Sequence, residues 1–305
     1  DAAIVNWLDE RELDDLDGKG DGDPLPKTLH LALDRAQDLR YGENPHQVGA
    51  RYRHTHGAGW WDEAVQHGGK DLSYLNLYDT EAAWRLVHTL GDGPAVTVIK
   101  HANPCGVAVD DDITVAYQRA HECDPVSAYG GIVAVNRPVP ASLAEALAPV
   151  FTEVVVAPSY DNDALAILTA KKNLRVLSAP PPNPAPLEVR SIDGGLLVQT
   201  ADKVTVDRSQ WRVVTKVAPT EDQWRDLELA WRVVARTSSN AIVLVKDGAA
   251  VGIGCGQQNR RDAGRIAGDK ADGRARGGAY ASDAFFPFPD GLDGAIDAGA
   301  AAVIQ

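Results

Sequence analysis

Residues 95–106 read AVTVIKHANPCG, an apolar run that ends in a lysine and a histidine side by side. The run over 95–99 is short, apolar and mostly β-branched, which predicts a buried strand. Lys100 and His101 follow at the end of that strand, where ligands gather in α/β sheets. A cation can hold a developing negative charge and an imidazole can take a proton, so the pair is a candidate for catalysis. An ordinary polar surface loop is the alternative.

Apolar segments alternate with helical patterns on both sides of this run, and the alternation favours an α/β layered fold. A helical pattern over 79–90 precedes the run, and further segments follow at 131–135, 143–150, 154–156 and 174–177. The proline-rich stretch over 180–186 (PPPNPAP) interrupts this order. We expect that stretch to cross from one subdomain to the next.

A capping-box pattern marks the start of a helix in the last third of the chain. Thr220 is followed three residues later by Gln223, the spacing at which the two residues cap each other's backbone amides. Trp224 and Trp231 then recur at helical spacing. A tryptophan pair can stack on a ligand, but an apolar stripe of this period is usually buried, so we interpret it as packing.

Asp247-Gly248 lies between two apolar runs and predicts a β-hairpin. The second run continues into 252–260 (GIGCGQQNR), and a helical pattern starts at about Asp262. Flexible backbone that leads into a helix N-terminus can bind an anion. This segment is therefore a second candidate site.

The bulk composition limits the functional classes. The chain has 305 residues, 44% hydrophobic and 24% charged, which suits one large or two ordinary globular units. A net charge of −13 disfavours a nucleic-acid partner, because phosphate backbones are bound by basic faces. The three cysteines are scattered and odd in number, which predicts no disulfide framework. No apolar run approaches the roughly 20 residues of a membrane span, which predicts no membrane partner. We therefore expect a reduced, cytoplasmic protein.

Both ends of the sequence resemble parts of a longer polypeptide. The sequence contains no Met, begins in a helix-like apolar segment and ends in a strand-like one at 301–305. Residues 9–26 are acidic and rich in glycine, which is typical of a linker. We expect residues 1–28 to be the tail of a preceding domain plus this linker. The body would then comprise subdomains at 29–200 and 201–305, the second one incomplete.

Several common catalytic and metal-binding patterns are missing from the sequence. His101, Cys105, His121 and Cys123 lie within one stretch, but their spacing matches no common zinc set, so we predict no zinc site. The sequence lacks the Gly-x-Ser-x-Gly elbow of serine hydrolases. It also lacks the dinucleotide fingerprint and the Walker A loop, since the glycines over 252–256 have the wrong spacing for both.

Two further segments concentrate groups that bind small molecules. Residues 40–47 (RYGENPHQ) offer a guanidinium for phosphate or carboxylate and a phenol for stacking, although a polar turn around Pro45 is an equal alternative. Residues 282–290 (SDAFFPFPD) place three aromatic rings beside two carboxylates. A planar heterocycle could stack there, or the rings could form a packed turn.

Six segments in the same order resemble the formyltransferase part of the AICAR transformylase/IMP cyclohydrolase family. They are 40–47 (RYGENPHQ), 100–106 (KHANPCG), 124–131 (DPVSAYGG), 239–242 (SNAI), 252–260 (GIGCGQQNR) and 281–288 (ASDAFFPF). The resemblance implies two tandem cytidine-deaminase-like α/β/α subdomains, the second truncated at its C-terminus, in a homodimer with active sites at the subunit interface. It also implies transfer of a formyl group from 10-formyltetrahydrofolate to the 5-amino group of 5-aminoimidazole-4-carboxamide ribonucleotide (AICAR), which gives FAICAR in purine biosynthesis.

The resemblance implies a role for each matching residue. His101 would accept the proton of the attacking amine, and Lys100 would stabilise the transition state. The AICAR pocket would comprise Arg40, Tyr41, Asn76, Gly130, Glu153, Asn240 and Phe285. The folate side would comprise Arg260, Arg261 and Asp290. The family uses no zinc, and a monovalent cation is a further candidate ligand.

The sequence departs from the family pattern in four respects. Glu153 stands where some members have Asp, and Arg261 stands where others have an apolar residue, which favours a backbone role there. The cyclohydrolase domain is expected to be absent apart from its tail at residues 1–8. The family also continues beyond Gln305 with a Pro-Gly-Gly-Ser segment and an Arg-containing stretch that contacts substrate. Two alternatives stay open: a deaminase-like hydrolase on the same fold, and a nucleotide- or folate-binding remnant without activity.

Overall fold

The structure is a computed structural model that describes residues 25, 28–55, 57, 59–185 and 187–305. The predictions for residues 1–8 and for the linker over 9–26 therefore lie outside the described residues, apart from Leu25. The described chain divides into two compact units. The smaller unit comprises the residues up to 63 with 182–203, and the larger one comprises 64–181 with 204–305.

Strands and helices alternate along the described chain. The strands are β1 (Leu33–Leu39), β2 (Gly49–His54), β3 (Val65–Gly68), β4 (Ala95–Lys100), β5 (Asn103–Val109), β6 (Gly131–Val135), β7 (Thr152–Ala157), β8 (Arg175–Ser178), β9 (Leu187–Ile192), β10 (Gly195–Thr200), β11 (Ile242–Lys246), β12 (Ala249–Gly254), β13 (Ala279–Ser282) and β14 (Ala302–Ile304). The helices are α1 (Trp60–Glu63), α2 (Tyr74–Val87), α3 (Ile113–Cys123), α4 (Pro125–Ala128), α5 (Ala141–Leu147), α6 (Asn162–Thr169), α7 (Glu221–Val234), α8 (Arg260–Ala271) and α9 (Asp290–Asp297).

The smaller unit is built from two antiparallel hairpins and one short helix. β1 pairs with β2, and β9 pairs with β10. An ion pair from Arg51 Nη1 to Asp62 Oδ1, 2.9 Å long, ties β2 to α1. Trp60 at the start of α1 is buried and its ring lies 4.0 Å from that of Trp61.

A mixed ten-stranded sheet forms the larger unit, with strand order β14-β13-β11-β12-β5-β4-β6-β7-β8-β3. The pairs β13–β14, β6–β7 and β7–β8 are parallel, and the other neighbours are antiparallel. Helices pack against this sheet, so the predicted α/β class is confirmed. Among the described residues, every helix is too short or too polar to cross a bilayer.

Two stretches of sequence contribute to this one sheet and meet at β5 and β12. Residues 64–181 supply β3 to β8, whereas residues 204–305 supply β11 to β14. The register of β5 with β12 consists of the pair Ala108 and Ala249. A hydrogen bond from Val109 N to Gly248 O, 2.9 Å, lies next to that pair. The two halves of the sheet therefore join at one end of β5.

Each half of the sheet has its own apolar core. Val98, Val133 and Val155 belong to the first core, and helices α3, α5 and α6 cover it. In the second core, α8 packs on β12 without intervening side chains. A Cβ atom at Gly252 would lie 2.1 Å from Ala267 O, and one at Gly254 would lie 2.0 Å from Ala263 O. Glycine at both positions is therefore a requirement of packing.

The strongest local signals of the sequence are confirmed. A strand occupies 95–100, Thr220 and Gln223 form a capping box at α7, and Asp247-Gly248 joins β11 to β12. The sequence interpretation missed β5, because Pro104 and Gly106 are unfavourable strand residues. The neighbouring β4 provides the ladder that holds this segment extended.

The Asp247-Gly248 turn rests on a buried carboxylate in α7. Asp226 is 2% exposed and accepts hydrogen bonds from Asp247 N at 3.0 Å and Gly248 N at 2.8 Å. A hydrogen bond to a charged group contributes about 1.5 to 3 kcal/mol. Asp226 thereby connects the helix to the tip of the hairpin.

We predict that Asp226→Ala lowers the free energy of unfolding by about 2 kcal/mol, because both turn amides lose a charged acceptor. The measurement is urea unfolding at neutral pH. Asp222→Ala on the same helix removes an exposed ion pair with Arg225 and should change the value by less than about 1 kcal/mol. Equal effects of the two substitutions would show that the turn does not depend on Asp226.

Candidate active site

Lys100 and His101 lie at a tight hairpin turn. β4 ends at Lys100, β5 begins at Asn103, and these two residues pair across the turn. His101 and Ala102 have φ angles of 52° and 56°, the sign that a type I′ turn requires. Such backbone is strained by about 1 to 3 kcal/mol for each non-glycine residue and often marks functional sites. Because β4 is antiparallel to both neighbours, the pair occupies a hairpin rather than the carboxyl end of a parallel strand.

The ammonium group of Lys100 is fixed by two backbone carbonyl groups. Its Nζ donates to Tyr129 O at 3.1 Å and to Gly130 O at 3.0 Å. An ammonium has three N–H groups, so one donor remains for a ligand. Gly130 has a φ of 69°, and a Cβ there would lie 3.2 Å from Lys100 Nζ. The structure thus brings the predicted residue Gly130 into contact with Lys100, which precedes His101 in the chain.

Asp79 on α2 is a buried carboxylic acid next to this turn, and the sequence interpretation missed it. It is 8% exposed, and its Oδ1 has no hydrogen-bond partner among the described residues. Burial raises the pKa of Asp79, while the amide of Ala102 and the charge of His101 oppose the rise. The sequence does contain a signal for Asp79: it is an acidic residue on the same buried face of α2 as Ala83.

Glu153 and Asn76 are already engaged by protein groups. Glu153, near the start of β7, accepts a hydrogen bond from Arg175 Nη1, and Arg175 Nη2 also donates to Asp71 O at 3.2 Å. Asn76 Oδ1 accepts from Ser73 N at 3.2 Å in the capping box of α2. Any ligand contact of Asn76 or Glu153 therefore has to use its remaining polar atoms.

A second cluster surrounds Asp283 beyond the end of β13. Its carboxylate accepts hydrogen bonds from Ser239 Oγ, from Ala241 N at 3.0 Å and from Arg260 Nη2 at 2.8 Å. Burial alone would raise the pKa of Asp283, but these hydrogen bonds and the charge of Arg260 lower it overall. The guanidinium of Arg260, predicted to bind folate, is thus partly held by the protein.

A pocket of about 740 Å³ opens beside this cluster. Its lining includes the predicted residues Asn240, Arg260, Arg261 and Asp290. Gln258, Asn259, Asp262, Arg265, Phe286, Pro287, Phe288 and Gly291 complete it. Phe285, the aromatic residue that the sequence predicted, is 70% exposed and is not one of the lining residues, whereas Phe286 and Phe288 are.

Arg40 and Tyr41 belong to the smaller unit and contact each other. Arg40 Nη2 donates to Tyr41 Oη at 3.1 Å, and the guanidinium carbon lies 4.8 Å from the centre of the tyrosine ring. A hydrogen bond from Gly42 N to Gln47 O, 2.8 Å, closes the following turn. The predicted turn around Pro45 is therefore present, and Arg40 lies just before it in the chain.

No cluster of three or more His, Cys, Asp or Glu side chains suited to a metal ion occurs among the described residues. Cys105 and Cys123 are buried, and burial raises the pKa of each thiol to about 12. The expected absence of zinc stays a prediction, and so does the expected binding of a monovalent cation.

Comparison with known proteins yields one family. A sequence model of the AICARFT/IMPCHase bienzyme matches residues 1–270. The bifunctional purine biosynthesis protein PurH of Dinoroseobacter shibae is 47% identical over 320 aligned residues, and that of Bacillus cereus (strain AH187) is 46% identical over 308. Both alignments cover 100% of this chain, which spans 59% and 58% of the two relatives.

We predict that Asp283→Asn destabilises the protein by about 3 kcal/mol at pH 7, because Arg260 loses its buried counter-charge. The folded-state pKa of Asp283 is lowered, so its contribution is present above pH 3.8 and is lost as the pH falls through the folded-state value. The deficit should therefore shrink below pH 3.8. Urea unfolding from pH 7 to pH 3 measures it.

Asp111→Asn is the matched control, since Asp111 is exposed. It should leave the unfolding free energy within about 0.5 kcal/mol of wild type. An Asp283→Asn deficit that stays constant with pH would contradict the ionised pair.

Proposed function

Because the chain belongs to the AICARFT/IMPCHase bienzyme family, we propose that it transfers a formyl group from 10-formyltetrahydrofolate to the 5-amino group of AICAR. The products are FAICAR and tetrahydrofolate. The observation that carries the proposal is the strained turn that begins with His101, directly after Lys100, whose ammonium is anchored by two carbonyl groups. An imidazole and an anchored cation on adjacent residues match the two requirements of formyl transfer, which are a base for the amine and a donor to the oxyanion.

His101 is proposed as the base. The amine of an aminoimidazole carboxamide is a weak nucleophile, because its lone pair is drawn towards the carboxamide. As its nitrogen bonds to the formyl carbon, His101 takes the proton that the nitrogen loses. The imidazolium then returns a proton to the folate nitrogen as the old carbon–nitrogen bond breaks. General acid–base help of this kind contributes about 10² to 10⁴ in rate.

Lys100 is proposed to stabilise the oxyanion that forms on the formyl oxygen. Two of its N–H groups point to the carbonyl oxygens of Tyr129 and Gly130. The third is available for a charge that develops only during the reaction. A donor that is already oriented needs no reorganisation in the transition state, which makes it an effective catalyst.

The two anionic substrates are proposed to bind at separate cationic places. Arg40 suits the phosphate of AICAR, because a guanidinium offers paired donors to phosphate oxygens. The pocket beside α8 suits the folate, since Phe286 and Phe288 offer apolar ring faces and Arg261 and Arg265 offer charges for carboxylates. Its volume of about 740 Å³ is in the range of ligand sites.

We also propose two cytidine-deaminase-like subdomains, at 29–200 and 201–305, in a homodimer. The short junction between β5 and β12 supports a division of the sheet into two halves. Tyr129 and Phe151 support a subunit interface near Lys100, because their rings lie 5.1 Å apart and are 65% and 40% exposed. Exposed aromatic pairs are typical of interfaces.

We predict that the purified full-length protein converts AICAR and 10-formyltetrahydrofolate to FAICAR, measured by chromatography of the product. His101→Ala should lower kcat at least about 100-fold, because the amine loses its base. Lys100→Ala should lower kcat by about 10² to 10³ and change KM for AICAR less, because the oxyanion loses its donor.

His54→Ala and Lys172→Ala alter exposed residues of the same types and should leave kcat within twofold. Absence of FAICAR with the wild-type protein would refute the proposed function. A loss of no more than twofold in His101→Ala would refute its role as the base, and a change in KM alone would make Lys100 a binding residue.

A further inference from the structure

The side chain of Asn103 connects two parts of the candidate site that are distant in sequence. Its Nδ2 donates to His101 O at 3.2 Å, within the strained turn. Its Oδ1 accepts a hydrogen bond from Ser238 N at 2.9 Å, 135 residues away. One amide thus contacts both the turn that presents His101 and the segment that leads to Asn240.

The strand pairing explains why this connection matters. β5 and β12 meet at Ala108 and Ala249, at the far end of β5 from Asn103. From Asn103 to Val107, the described ladder pairs β5 with β4 and not with β12. At the end of β5 that carries the turn, strand pairing does not join the two halves of the sheet. The hydrogen bond from Ser238 N to the side chain of Asn103 is one contact that joins them there.

The segment from Ser238 to Asn240 is itself held by several hydrogen bonds. Gly256 N donates to Ser238 O at 2.7 Å, and Asn240 N donates to Gln257 O at 3.0 Å. Asn240 Nδ2 also donates to Gln257 O, at 2.9 Å. A displacement of Ser238 would therefore shift Asn240, which lines the pocket beside α8.

We propose that Asn103 is a positioning residue that fixes the His101 turn relative to the Asn240 segment. The inference rests on the proposed function and adds a residue to it. Asn103 does not contact the reacting atoms. It acts through His101, by holding the carbonyl of a residue in left-handed backbone, and through Ser238, by holding the segment that leads to Asn240.

Steady-state kinetics of the full-length protein test this role. Asn103→Ala removes both hydrogen bonds and should lower kcat at least tenfold, while KM for AICAR changes less than threefold. Asn103→Asp keeps the size and the acceptor for Ser238 N but loses the donor to His101 O, so its kcat should also fall. Asn162→Ala, an exposed asparagine at the start of α6, should leave kcat within twofold.

A double-mutant cycle distinguishes positioning from a general structural effect. Because Asn103 is proposed to act partly through His101, Asn103→Ala should lower kcat by a clearly smaller factor in the His101→Ala background than in the wild-type background. An equal loss in both backgrounds, or unchanged kcat in both Asn103 variants, would overturn the proposal.

Amide hydrogen exchange separates this inference from the proposed function. Asn103→Ala should accelerate exchange at Ser238 at least tenfold, whereas Asn162→Ala should not. If the wild-type protein forms no FAICAR, the proposed function is refuted. The exchange measurement still tests whether Asn103 holds the Ser238 segment. Unchanged exchange at Ser238 would overturn it.

Discussion

The turn between β4 and β5 holds two residues with side chains at positive φ, and the candidate site is arranged around it. Asn103 holds one carbonyl of this turn, and the buried Asp79 carboxyl lies next to its amides. Lys100, just before the turn, is held by the carbonyls of Tyr129 and Gly130. Strained backbone persists only where its surroundings determine it, and these contacts supply that support.

Charge in this protein is organised locally rather than globally. The chain has a net charge of −13, yet the segments proposed to meet anionic ligands present guanidinium and ammonium groups. Arg260 is oriented by Asp283, as Arg175 is by Glu153. A carboxylate that orients an arginine reduces its free charge but fixes its direction. Fixed direction is what selective recognition of a planar anion requires.

The sequence predicted the features that depend on neighbours along the chain. The buried strand before Lys100, the capping box at Thr220 and the Asp247-Gly248 hairpin follow from short-range rules, and all three are confirmed. The smaller unit holds Arg40 and Tyr41 together, as adjacent residues of one motif.

Features that depend on distant contacts could not be predicted in this way. β5 needs β4 to hold Pro104 extended, and Asp79, Asn103 and Asp283 acquire their interest only from partners elsewhere in the fold. The GIGCGQQNR segment at 252–260 also contains residues whose role depends on a distant helix. Anion binding by its loop stays a prediction. Gly252 and Gly254 lie before that loop, in β12, and are needed for direct contact between α8 and β12. Their missing side chains set the depth at which the helix sits, and with it the height of Arg260 and Arg261 above the sheet. Gly252 and Gly254 thereby fix how close the helix that begins at Arg260 lies to the strand.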